Sequence, residues 1–326
     1  MDKFLSCDWG TSSFRLRLVT ASDAEVRKEI VTPDGIADTH QRWLKESGLH
    51  EDRLSFYLQY LLQQIRKLGE EAQMDLAGLP VMLSGMASSS IGMLELPYKE
   101  LPLKIDGSDI PTHSIERSAK FPHHLIIISG ARTGDDVLRG EETLLIGCGI
   151  PDSTESSLCI FPGTHSKHIQ VVKGKAVSFK TYLTGELFDL LSTKSILSNS
   201  VERNDQQEKK ANDFFRRGIE KGLSGNLLNI VFHVRTNQLF NKNSRTDNYH
   251  YLSGLLIGAE LKDVQNSLNS IFLVSGDSLK RNYEQGLEVL GFRNPVAFID
   301  ASKALVKGQL TIYHQLKRKL NNGILN

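Results

Sequence analysis

The chain has 326 residues, and its 39 Lys and Arg almost cancel its 38 Asp and Glu, leaving a formal net charge of +1. That balance excludes the broad positive field of a nucleic-acid or anionic-membrane binder and points to small-molecule partners. Three cysteines without a CxxC pair argue against a disulfide framework or a thiolate metal site, and no apolar run approaches the roughly 18 residues of a membrane helix.

The N-terminus shows no basic stretch leading into an apolar one, so a cytoplasmic protein is expected. A chain of this length suits two domains of roughly 150 residues each. The expected division is 1–154 and 155–326, with a cleft between them.

Phe4 to Trp9 reads as an apolar strand, and Phe14, Leu16 and Leu18 alternate with Arg15 and Arg17 as a second. Residues 26–31 are a third, and three consecutive strands usually form an antiparallel meander. From Leu54 the apolar positions Tyr57, Leu58, Leu61, Leu62, Ile65 and Leu68 follow a three-four spacing, a helical stripe that stops at Gly69. The runs 80–85 and 125–130 are short, apolar and closed by Ser-Gly, as expected of buried central strands whose C-terminal ends line a site. Residues 135–143 are expected to begin a helix directly after the second of these.

In the second half, 157–161, 168–172 and 176–183 are strand-like, with Lys173-Gly174 as a hairpin turn. Two polar stretches, 198–213 and 241–248, read as surface loops. Residues 271–276 form another buried strand, 278–290 a helix, 295–299 a strand and 301–320 a closing helix. The order β-β-β-α-β-α-β-α therefore occurs twice, although only the pattern of elements repeats.

The chemistry concentrates in two turns. In Asp8-Trp9-Gly10-Thr11-Ser12-Ser13, a hairpin tip could turn free N–H groups toward a phosphate while Asp8 holds a water-shelled Mg²⁺. Phe161-Pro162-Gly163-Thr164-His165-Ser166-Lys167 occupies the same place in the second half. Taken singly, each turn is also explained by a plain hairpin, but two of them facing one another could grip a triphosphate for phosphoryl transfer. Asp135-Asp136-Val137-Leu138-Arg139-Gly140-Glu141-Glu142-Thr143 supplies carboxylates for proton abstraction and an arginine for an anion. Thr184, Gly185 and Glu186 open a helix that could add to the anion site. Val274-Ser275-Gly276-Asp277-Ser278 is a strand-to-helix turn of the kind that meets a nucleotide base. The glycines of Ser253-Gly254-Leu255-Leu256-Ile257-Gly258 suit close helix packing and could also flank a ligand.

Together these blocks, with Ser84-Gly85-Met86 and Leu252-Ser253-Gly254-Leu255, resemble the 2-dehydro-3-deoxygalactonokinases of the sugar kinase, actin and Hsp70 superfamily. The resemblance runs from Cys7 to about Asp300. It implies an α/β fold of two ribonuclease-H-like domains with an interdomain cleft. The activity it implies is ATP-dependent, Mg²⁺-assisted phosphorylation of 2-dehydro-3-deoxy-D-galactonate at its terminal hydroxyl, in galactonate breakdown. The same likeness makes Asp8, Gly10, Thr11 and Ser12 the first phosphate motif, Gly163 and Thr164 the second, and Gly276 with Asp277 the adenosine turn, with Gly254 beside the nucleotide. Glu141 becomes the base, with Glu142 and Asp136 in reserve, and Asp8 the metal ligand. Arg15, Arg139, His165 and Lys167 are candidates for the sugar-acid carboxylate and phosphates, joined at the substrate by Ser84, Gly85, Met86, Thr184 and Glu186.

Ser88, Met93 and His168 depart from the family pattern at positions expected near the sugar, which keeps a related 2-keto-3-deoxy sugar acid open as substrate. A nucleotide-binding regulator of the same fold, or a phosphatase using water in place of the sugar, are the other readings of these residues. The sequence leaves a homodimer open.

Overall fold

The computed structural model describes residues 2–46, 52–151, 156–203, 208–265 and 269–322. In chain order the elements begin with β1 (Lys3–Trp9), β2 (Phe14–Thr20), β3 (Glu25–Thr32), α1 (Ile36–Glu46), α2 (Arg53–Ala72) and β4 (Val81–Gly85). They continue with the short strands β5 (Lys99–Glu100), β6 (Leu103–Lys104) and β7 (Thr112–Ile115), then β8 (Leu125–Ile128), β9 (Ala131–Arg132), β10 (Val137–Leu138) and α3 (Glu141–Gly147). After these come β11 (Ser157–Phe161), β12 (Ser166–Val172), β13 (Lys175–Tyr182), α4 (Thr184–Thr193), α5 (Glu208–Ser224), α6 (Leu227–Ile230), α7 (His233–Leu239) and α8 (Arg245–Leu261). The last are β14 (Ser270–Ser275), α9 (Asp277–Val289), β15 (Val296–Asp300) and α10 (Ala301–Asn321).

The chain divides into two compact units, Met1–Glu155 with Val171–Ser178 and Ala301–Asn326, and Ser156–Gln170 with Phe179–Asp300. Relative to the expected split, the outer end of the β12–β13 hairpin and the closing helix group with the N-terminal half. Backbone pairing explains the first, because Lys175 and Ala176 pair with Lys104 and Leu103 of β6. Packing explains the second, since α10 lies on α3, where Gly308 and Gly147 let the two backbones touch.

In the first unit the sheet order is β3-β2-β1-β4-β8-β7, with β1, β2 and β3 antiparallel and β4 and β8 parallel to β1. The period of two sorts β1 into faces. Leu5, Cys7 and Trp9 join a core that takes in Tyr57, Tyr60, Leu61, Ile65 and Leu68 of α2. Full burial of each such aliphatic side chain is worth roughly 1.5–3 kcal/mol, which fixes the register of β1 and so the direction of Asp8. Helix α2 runs past Gly69 to Ala72 and ends on Gln73 in a left-handed cap. Helix α1 was not foreseen.

In the second unit the strand order is β15-β14-β11-β12-β13, with β11, β14 and β15 parallel. Phe215, Ile219, Ile257, Leu261, Tyr283 and Leu287 pack over this sheet. Both expected surface loops contain helix instead. Residues 204–207 lie outside the described set, but α5 covers 208–213. Within 241–248, α8 starts at Arg245 on a capping box in which Ser244 and Asp247 bond each other's backbone N–H.

Candidate functional site

The first unit gathers its polar groups where β1 and β4 end. Register places Asp8 opposite Arg15 on one side and Ser84 on the other, and Arg15 Nη1 lies 3.5 Å from Asp8 Oδ2. Burial pushes the Asp8 carboxyl up, and the Arg17 and Arg15 charges pull it back down. Beyond it the tip turns through Gly10 N–H to Ser13 O at 2.9 Å, while the Gly10 and Thr11 carbonyls accept from Ile36 and Ala37 at 2.9 and 3.1 Å. The first amides of α1 therefore clamp this turn through its carbonyls. Thr11 and Ser12 remain exposed.

Gly85 ends β4 at φ +93, and a Cβ there would stand 2.7 Å from Trp9 O and 3.3 Å from Asp8 Oδ1. Only glycine accepts both that dihedral and that approach. Gly140, at φ +115, lies directly against Gly85 and caps α3. The N-terminus of α3 is thereby brought beside Asp8, with Glu141 half-buried in its first turn. Glu141 Oε2 accepts from the Arg139 N–H at 3.1 Å.

Arg139 is oriented with care. Its guanidinium stacks over the Tyr98 ring at 4.0 Å, Nε donates to the Tyr98 hydroxyl at 3.3 Å, and Nη1 donates to Ser88 O and to Ser88 Oγ at 2.6 Å.

Glu142 points the other way. It is fully buried, its two oxygens accept the Gly140 N–H at 3.0 and 2.8 Å, and Thr143 Oγ1 donates to it at 3.1 Å. Burial, reinforced by the neighbouring Glu141 charge, raises its carboxyl to about 7. A near-neutral acid in a cleft is a usual mark of a catalytic group, but a carboxylate closed in by its own helix N-terminus cannot reach a substrate.

Asp135 and Asp136 do not open a helix, contrary to expectation. They form the turn between β9 and β10, where Thr133 N–H bonds Asp136 O at 2.9 Å and Asp136 Oδ1 takes the Val137 N–H at 2.8 Å. The helix starts only at Glu141, after Gly140 has turned the chain. Ser84 is buried under the sheet end and accepts from Gln309 Nε2 at 2.8 Å, while the same amide donates to Cys7 O at 2.9 Å. Met86 starts a single 3-10 turn, Met86–Ser88, and packs on the core. Ser88 and Met93 are buried as well.

In the second unit the turn after β11 carries exposed Thr164 and His165. The first turn of α4 lies against it: Glu186 N–H bonds Thr164 O at 3.0 Å, His165 Nε2 meets Glu186 Oε2 at 2.6 Å, and Gly185 leaves no room for a Cβ beside Gly163 O. A Cβ on Gly163 would meet nothing within 4 Å. Lys167 is buried in β12 with Nζ 3.4 Å from His165 O. Thr184 turns inward, its hydroxyl donating to Glu260.

The second unit also relocates His168. Expected near the sugar, it is buried and bonds Glu260 at 2.9 Å behind the turn. Gly276 caps α9 after β14, its Cβ position also open, with Asp277 exposed beside it. Gly254 lies elsewhere: a Cβ on it would fall 2.0 Å from Phe215 O, so its open face is filled by α5 and offers nothing to a nucleotide.

Sequence reasoning gave no role to Tyr98, Glu260, Tyr283 or Gln309. A usable signal existed for one of them, since Glu260 is the only charged residue in the otherwise mostly apolar stretch 251–261.

The family model described as 2-keto-3-deoxy-galactonokinase matches residues 8–312. A protein of Rhizobium meliloti (strain 1021) assigned as a 2-dehydro-3-deoxygalactonokinase is 30% identical over 313 residues, 94% of each chain. The 2-dehydro-3-deoxygalactonokinase of Escherichia coli (strain K12) is 33% identical over 220 residues, 65% of this chain and 71% of its own. Among solved structures, a candidate 2-dehydro-3-deoxygalactonokinase from Sinorhizobium meliloti superposes with a TM-score of 0.76 at 28% identity, covering 95% of this chain and 96% of its own.

Proposed function

Because the chain belongs to the 2-keto-3-deoxy-galactonokinase family, with its α/β fold of ribonuclease-H-like units, we propose that it moves the γ-phosphoryl group of ATP to the terminal hydroxyl of 2-dehydro-3-deoxy-D-galactonate. It is thus a sugar-acid kinase acting in galactonate degradation, with two small molecules as its substrates. The observation that carries the site assignment is the run of contacts from Asp8 through Gly85 and Gly140 to Glu141 at the strand ends of the first unit.

Phosphoryl transfer asks little covalent work of a protein and much positioning and charge neutralisation. Glu141, half-buried at the start of α3, takes the proton of the attacking hydroxyl. Arg139, locked by Tyr98 and Ser88, offers its guanidinium to the planar carboxylate of the 2-keto acid, a match suited to such a donor. Asp8 fits Mg²⁺: it is one carboxylate, 27% exposed, beside a tip of hydroxyls, which suits a cation that keeps most of its waters and shares the rest with phosphates. When bound there, the ion would neutralise phosphate charge.

In the second unit, Thr164, His165 and Lys167 serve the phosphates, and the open faces of Gly163 and Gly276 admit the nucleotide. The N-terminal part therefore holds the sugar acid and the first phosphate motif, and the C-terminal part the second motif and the adenosine. No helix among the described residues is long and apolar enough to cross a membrane, and a cytoplasmic setting fits a soluble sugar acid and ATP.

A screen of ADP release over 2-keto-3-deoxy aldonic acids and ordinary sugars tests this reading. Turnover with 2-dehydro-3-deoxy-D-galactonate and recovery of its phosphate ester is the expected result. Free phosphate as the product, or turnover only with neutral sugars, would overturn it.

A further inference from the structure

Behind the second phosphate turn lies a series of hydrogen bonds whose direction is dictated by one buried acid. Glu260, near the end of α8, has a side chain only 1% exposed. Its Oε2 takes the hydroxyl protons of Thr184 and of Tyr283, the latter at 2.7 Å, and its Oε1 lies 2.9 Å from His168 Nε2. Tyr283 has one proton, now spent. Its oxygen must then accept from Ser166 Oγ, 2.9 Å away. Ser166 has spent its proton in turn, and its free lone pair receives the Gly163 N–H at 3.3 Å. Burial, with the Glu260 charge next, lifts the Tyr283 phenol well above its ordinary range, consistent with a permanent donor.

We propose that Glu260 is a positioning residue for the nucleotide: it imposes a one-way chain of donors, Gly163 to Ser166 to Tyr283 to Glu260, that pins the second turn and leaves Thr164 rather than the Gly163 amide to meet the phosphate. The proposal deepens the kinase reading and rests on it. The same carboxylate also holds Thr184, the first residue of α4, whose first turn bonds Thr164 O through Glu186 N–H. Both sides of the turn are therefore tied to one acceptor. Without that acceptor each hydroxyl could donate either way, and the turn would sample more than one arrangement.

Titration calorimetry with ADP and Mg²⁺, beside steady-state kinetics, tests the chain. Tyr283→Phe removes the middle link while keeping the ring. It should weaken ADP binding and raise KM for ATP by about five- to tenfold, the size of one well-formed hydrogen bond, with KM for the sugar acid unchanged. Ser166→Ala, a smaller change that leaves the Tyr283–Glu260 bond in place, should move the same two quantities in the same direction. It also serves if Tyr283→Phe does not fold. Variants that melt earlier yet bind ADP as the parent does would make the network merely structural and overturn the proposal. A parent protein that binds no ADP would overturn the kinase reading along with it, so the two failures are distinguishable.

Discussion

The two turns proposed to meet the phosphates are supported in different ways. The first, at 10–13, is gripped through its carbonyl oxygens by the leading amides of α1, a main-chain clamp that asks little of any side chain. The second, near 163–166, has one such bond, from Glu186 N–H to Thr164 O, and is held besides by a relay of hydroxyls ending on a buried carboxylate. A main-chain clamp survives the loss of a side-chain oxygen, although it needs close backbone approach: a Cβ on Gly35 would lie 2.1 Å from Thr11 O. A side-chain relay fails when one oxygen is removed. The first unit can therefore place its demanding residues, Asp8, Arg139 and Glu141, on a scaffold that does not depend on them.

The largest expected effect follows from that separation. Glu141→Gln keeps size and hydrogen-bonding reach but cannot take a proton, so kcat should fall by about 10²- to 10⁴-fold, the range for general-base removal, with KM for either substrate little changed. Because the first turn is braced by backbone, the melting temperature should hardly move. Steady-state kinetics beside a thermal melt reads both, and an unchanged kcat would take the base role away from Glu141.

Next in size is the pH dependence of the neighbouring acid. Glu142 is raised from an ordinary 4.5 to about 7 by burial and then by Glu141. The folded state therefore holds this proton more tightly than the unfolded chain does. Stability contributed by the protonated form is intact below about 4.5 and is lost as pH rises toward 7. The loss amounts to about 3 kcal/mol when the shift is converted at 1.36 kcal/mol per unit. Glu142→Gln, which can still accept from Gly140, should flatten this slope and melt higher than the parent at pH 8 but not at pH 4. Parallel stability curves would show that Glu142 does not titrate in this window.

Much of this arrangement was legible in the chain. The strands stood out because Leu5, Cys7, Trp9, Leu16 and Leu18 obey a period of two, and both turns stood out because Gly, Thr and Ser interrupt that period between strands. Helices α1, α5 and α8 were harder because their starts lie in polar sequence. The Ser244–Asp247 capping box uses the same residue types as a solvated loop, and only its reciprocal bonds tell the two apart. Asp135 and Asp136 misled for a similar reason, as acids suit a tight turn as well as a helix start. Glu260 and Gln309 escaped because their partners are far away in sequence: Glu260 bonds residues 92 and 76 positions earlier, and Gln309 bonds Cys7, 302 positions earlier.

The smallest effect separates the two uses of glycine in the second unit. At Gly254 an added Cβ would sit 2.0 Å from the Phe215 carbonyl oxygen, and both helix backbones would have to part. Gly254→Ala should therefore cost about 1–3 kcal/mol, as overpacking does, while any folded fraction keeps the parent's KM for ATP, since the residue touches α5 and not a ligand. At Gly163 the same methyl meets nothing of the protein within 4 Å, so Gly163→Ala should leave the melting temperature almost unchanged. Its cost should appear only with nucleotide present, as a loss of a few-fold in ATP affinity, because the methyl would occupy space left for phosphate. The two variants thus predict crossed results from one pair of measurements, a melt and a KM for ATP. If Gly163→Ala bound ATP as the parent does, the open face beside the second turn would not be where the nucleotide lies.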